Sequence, residues 1–236
     1  NVHRSVKMQK KYFFGETCGT VKVSIVLRPI WNMTPQEKIL KTSLDLFFKY
    51  GIKHITMDDI ARELGMSKKT IYQFFREKDD LVNQLCVVEL QDHQCQFDEV
   101  NTLAKDPVHE AILISDKIRQ MVQHINPMFF LDLQKFYPAA FQKYQTFKEN
   151  YAYATILDNV RRGMEQGLYR EDLDPEFVGR LRLAHIDMLM FGNYFSYDKI
   201  SLAKTHDLLL DVFIFGICNL KGHKLFNHYK KIKEEA

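Results

Sequence analysis

At 236 residues, with 46% hydrophobic side chains, the chain holds enough apolar material for a sizeable core in one large or two small domains. No apolar run approaches the roughly 18 residues of a membrane span. Four cysteines, Cys18, Cys86, Cys95 and Cys218, are scattered without a C-x-x-C pair. That excludes a disulfide framework or a zinc site and leaves reduced thiols in a cytoplasmic protein as the expectation. The net charge of +3 is uneven along the chain. It resolves into +5 for residues 1–33, +1 for 34–80 and −3 for 81–236.

Residues 1–33 are basic and carry the loosely alternating run Val21 to Leu27. That run is short and lacks a small-residue cleavage site, so it does not read as a signal peptide. A lone strand there would have no partner. Thr34-Pro35-Gln36-Glu37 then forms a capping box, with proline where a missing N–H does no harm. The first helix runs to Tyr50, with Leu40, Leu44, Phe47 and Phe48 as its buried stripe, and Gly51 ends it.

Residues 56–75 read TMDDIARELGMSKKTIYQFF. Thr56 and Asp59 make a second capping box, and Ile60, Ala61 and Leu64 share one face. Gly65 breaks the helix where a left-handed backbone costs least. Ser67 caps a short second helix. Its inward face is Ile71, Phe74 and Phe75, and Lys68, Lys69, Thr70, Tyr72 and Gln73 remain outside. Two short helices joined by a tight turn, the second one rich in donors, suit the major groove. Lys78-Asp79-Asp80-Leu81 opens the next helix.

The stretch from Thr34 to Leu85 resembles the DNA-binding domain of the tetracycline-repressor (TetR) family of transcriptional regulators. The residues that carry the resemblance are Phe47 and Gly51, Thr56 and Ile60-Ala61, Gly65-Met66-Ser67, Tyr72 and Phe75, and Lys78 and Leu81. The resemblance implies an all-α fold. A three-helix, helix-turn-helix head at residues 34–80 would precede a helical effector-binding and dimerisation body at 81–236. It also implies a homodimeric regulator, most often a repressor, that leaves its double-stranded operator when a small molecule binds. Residues 1–33 fall outside the family pattern. They are expected to be disordered or loosely packed, either as translated upstream sequence before a start at Met33 or as a basic arm that adds DNA contacts.

With a head charge of only +1, DNA affinity must rest on a few placed groups. Ser67, Lys68, Lys69, Thr70 and Gln73 are expected at base edges or phosphates, because lysine pairs with guanine O6/N7 and threonine meets the thymine methyl. Tyr72 resembles the family's aromatic at the phosphate backbone. Thr56 and Lys78 stand at helix starts, where phosphate contact competes with plain capping and solvation.

Downstream, one helix is expected from Lys78 to about Leu103. A second is capped by Asp106-Pro107, and the short run MFFLDLQKFY follows. A long helix runs from about Phe141 to Gln166, then one from Asp174-Pro175 to about Phe195, then one from Leu202 to Asn219. The remainder reads as a short helical or frayed tail. The segment from Phe129 to Tyr153 is crowded with rings. Two readings stay open for it: a solid core, or a cavity walled by Phe136, Phe141, Tyr144 and Met188 that takes a small hydrophobic effector. Leu181 and Leu189 on one late helix, with Leu209 and Phe213 on the next, are expected at the dimer interface. His185 reads as a satisfied core or interface histidine. No H-x-x-x-H, phosphate-binding loop or nucleophile elbow occurs, so no metal, cofactor or enzyme activity is expected. The alternatives are a helical DNA-binding protein without a small-molecule ligand and a protein-interaction module.

Overall fold

The computed structural model describes residues 33–231 apart from 193 and 196–198. The expectations for residues 1–32 therefore lie outside the described residues. The rest is built from helices, with one isolated antiparallel bridge between Tyr169 and Cys218. The helices are α1 Pro35–Tyr50, α2 Met57–Leu64, α3 Lys68–Tyr72, α4 Lys78–Leu103, α5 Pro107–Val122 and α6 Met128–Phe136. Then come α7 Pro138–Phe147, a π-helical turn Lys148–Ala152, α8 Tyr153–Glu165, α9 Pro175–Met190, α10 Leu202–Ile217 and α11 Leu220–Lys230. No described helix is long and apolar enough to cross a membrane.

The starts follow local chemistry. Thr34 and Thr56 each close a complete capping box, and Asp106, Asp174 and Ser201 each accept from a backbone N–H of the first turn. Gly51 and Gly65 end α1 and α2 at φ of 82° and 62°, a region that side chains resist. Two boundaries differ from expectation. Pro138 starts α7 rather than marking a break before it, and the long helix that follows is interrupted by the π turn. Helix α9 stops at Met190, capped by Phe191, whose ring turns inward against Phe130 and Phe141. The tail is a packed helix, α11, because Asn219 caps it and Phe226 is fully buried.

Three apolar clusters hold the chain. The first joins α1, α2 and α3 to α4 and continues to Tyr137 and Ala140, so the three-helix head shares a core with the start of the body. The second lies among α5, α8, α10 and α11 around Tyr169, whose hydroxyl donates to Asn159 at 3.0 Å. The third gathers Ile118, Phe130, Leu189 and Leu202.

Candidate DNA interface and the cavity behind it

Helix α3 is seated by Ile71 and Phe75, both fully buried. That leaves Lys68, Lys69, Tyr72 and Gln73 exposed on one side and Thr70 half-buried. The Ser67 hydroxyl accepts from the Thr70 backbone N–H at 3.1 Å and bonds its hydroxyl at 2.8 Å. Lys68 is steered by an ion pair with Asp58 at 2.7 Å and lies 5.9 Å from the Tyr72 ring. Lys69 has no ion pair among the described residues and projects as a free cation.

Two expected phosphate ligands also bond to groups of the protein itself. The Thr56 hydroxyl donates to Asp59 at 2.6 Å and accepts from its N–H at 3.2 Å, which completes the cap. The Lys78 ammonium turns inward and donates to the Ile52 carbonyl at 2.5 Å, between the rings of Phe47 and Tyr137. Burial lowers its pKa, so this cation closes the loop after α1.

Behind the head lies an almost wholly apolar cavity of about 140 Å³. Phe47, Phe48 and Ile52 of the head form one wall, and α4, α5, α6, the end of α7 and α9 form the others. Of the four residues expected to wall an effector site, Tyr144 does so, its hydroxyl donating to the Met190 sulfur at 3.4 Å. Phe141 sits one layer out, packed on Tyr144 and Phe191. Met188 is not in the wall. Phe136 is 38% exposed with Lys53 and Lys135 over its ring, because it falls on the solvent side of α6.

The polar groups of the wall were missed in the sequence. They are Glu89, His93 and Lys148. Lys148 is neutralised by Asp187 at 2.7 Å. Burial, reinforced by Asp92, pushes the Glu89 carboxyl up to about 7, and burial lowers His93. A signal was present. Leu81, Leu85, Glu89, His93 and Phe97 recur every fourth residue, so an acid and an imidazole stand in an apolar row of α4.

The late helices carry a second surface. Leu181 is 38% exposed, but Leu189 and Phe213 are buried in the subunit's own core and Leu209 is half-buried. The uncovered apolar side chains there are Phe177, Leu181, Leu208, Val212 and Phe215. The His185 ring meets Phe213 edge-on, and its Nδ1 has no hydrogen-bond partner among the described residues.

Residues 39–85 match the family model for bacterial regulatory proteins of the tetR family. These residues include α2, α3 and the turn between them. Over that stretch the chain is similar to the DNA-binding domain of the TetR family of transcriptional regulators. Among curated relatives, it is 24% identical over 191 residues to an uncharacterized HTH-type transcriptional regulator, YvaF, of Bacillus subtilis, covering 77% of this chain and 94% of that one. A TetR-family regulator structure from Agrobacterium tumefaciens superposes with a TM-score of 0.66 at 15% identity, over 78% of this chain and 97% of that chain. A putative transcriptional regulator from Saccharomonospora viridis, solved in complex with choline, superposes with a TM-score of 0.61 at 22% identity, over 78% and 97% of the two chains. The head that matches the tetR model is thus continued by a body of the fold seen in those structures.

Proposed function

We propose that this chain acts as a homodimeric repressor, with residues 34–80 as its DNA-binding unit and 81–236 as its effector and dimer unit. A small hydrophobic molecule filling the cavity releases it from its operator. One observation carries this reading: the cavity wall is shared between the body and the Phe47, Phe48 and Ile52 end of α1. A ligand there touches the end of the helix that supports α2 and α3, so its fit depends on where the head stands. Two α3 helices in a dimer must reach major grooves about 34–36 Å apart. A ligand that binds better to a dimer with displaced heads lowers DNA affinity by linkage.

Lys68, Lys69, Thr70, Tyr72 and Gln73 are the groups we assign to DNA, with Lys69 as the free phosphate or base cation. The second copy covers the apolar strip of Phe177, Leu181, Leu208, Val212 and Phe215, which runs along α9 and α10. The choline complex of the Saccharomonospora regulator supports a body that takes a small molecule. Fluorescence anisotropy with the promoter of the chain's own gene tests the reading. Nanomolar binding that falls on addition of a one-ring hydrophobic compound is expected. Tight binding unmoved by a panel of such compounds would leave a DNA-binding protein without an effector.

A further inference from the structure

Glu89 is the one carboxyl group in the cavity wall. It is half-buried, and it has no hydrogen-bond or ion-pair partner among the described residues. The rings of Phe48, Phe97, Phe129, Tyr144, Phe147 and Phe191 stand in the same wall. A buried acid left without a donor is costly unless something completes it. The groups that face it do not. Lys41 of α1 is paired with Asp45 at 3.5 Å, Lys148 is held by Asp187, His93 is kept neutral by burial, and Asp92 repels.

We infer that the effector is a small lipophilic cation, an amine or quaternary ammonium with one ring-sized apolar body, whose charge is matched by Glu89 and whose faces meet the aromatic wall. The inference rests on the effector reading above and specifies its ligand class. Aromatic faces attract a desolvated ammonium, and a carboxylate in a dry cavity adds the full countercharge. The space of about 140 Å³ sets the size, close to that which holds a single benzene-like ring. Burial and Asp92 hold the proton on the carboxyl up to near neutral pH, so a fixed cation displaces that proton on binding.

The test compares phenyltrimethylammonium with its uncharged isostere tert-butylbenzene, by calorimetry on the full chain. The cation is expected to bind about tenfold more tightly at pH 8 than at pH 6, and the isostere equally at both. Glu89→Gln should lose tenfold or more of the cation affinity and keep that for the isostere. Cation affinity that is unchanged in Glu89→Gln, or a wild type that fails to prefer the cation at pH 8, overturns the inference. If the variant does not fold, the pH dependence of the wild type decides alone. Operator release by tert-butylbenzene but not by the cation would sink the ligand class and leave effector release standing. Cation binding without operator release would do the reverse.

Discussion

The Asp132 carboxylate, on α6 of the body, accepts the backbone N–H of Lys53 in the head at 2.8 Å. It is 3% exposed, and it lies where a side chain on Gly51 would meet it at 3.1 Å. Beside it the Asn126 N–H donates to the Phe48 carbonyl at 2.7 Å, and the Phe48 and Phe129 rings meet edge to face at 4.9 Å. The end of α1 is therefore bolted to the start of α6, and the same two rings form part of the cavity wall.

Asp132→Ala should cut this bolt. A buried N–H left unpaired costs about 1–3 kcal/mol. The expected outcome is a protein that still binds operator but whose release by a cavity ligand is weakened several-fold, read by anisotropy with and without compound. Asp132→Asn keeps an oxygen acceptor and should retain most of the coupling. Equal release in the alanine variant and wild type would remove this contact from the coupling route.

Lys69→Ala should weaken operator binding and reduce the salt-dependence slope by about one, as expected for a lost phosphate contact. Lys78→Met should behave differently. Its ammonium is committed to Ile52, so the variant should lower the melting temperature with little change in slope. A Lys78→Met protein with full stability and a reduced slope would return this lysine to the DNA surface.

Val212→Glu places a charge on a residue that is 69% exposed in the single subunit. Sedimentation should show a monomer of near-normal fold, with operator affinity lost because one head reaches only one half-site. Phe213→Ala, one residue along, should instead cost about 3–5 kcal/mol of stability, because its ring is buried in the core. A dimeric Val212→Glu protein would move the interface elsewhere.

The raised pKa of Glu89 predicts a pH-dependent stability. The folded state holds the proton more tightly than the unfolded chain. The contribution is therefore fully present below the ordinary carboxylate value of 4.5 and is lost as pH rises through about 7. Glu89→Gln should remove that loss and exceed wild type by on the order of 2 kcal/mol at pH 8 in urea unfolding. Identical urea midpoints for the two proteins at pH 5 and pH 8 would show that the carboxyl is solvated.

Arg182 is 7% exposed, stacked 5.3 Å from the Phe213 ring, and has no carboxylate partner among the described residues. Burial lowers its pKa to about 10, and His206 beside it has both ring nitrogens unpartnered and is pushed down to about 3. A buried charge without a counterion is expensive, so Arg182→Met should be neutral or stabilising by about 1–3 kcal/mol. A destabilisation of several kcal/mol would reveal a partner for the guanidinium, for instance across the proposed dimer.

The sequence by itself determined the head. Capping boxes at Thr34 and Thr56, the glycine stops at 51 and 65, and the apolar faces of α1 and α2 act within a few residues, so their chemistry is local and readable. The assignment of α3's outward face followed from the same periodicity. What only the tertiary structure decided depends on which neighbour covers which face. Periodicity placed Leu189 and Phe213 on apolar faces, but it could not separate the core side from the free side of helices that carry apolar residues on more than one face. Phe136 belonged to a ring-rich segment, yet it turned to solvent because α6 presents Phe130 and Leu133 inward. Lys78 had the form of a surface cation until the Ile52 carbonyl and two rings closed round it. Glu89 falls in an apolar row of α4, but the row alone does not say what it faces. Packed elements far apart along the chain make it a polar point of an apolar cavity.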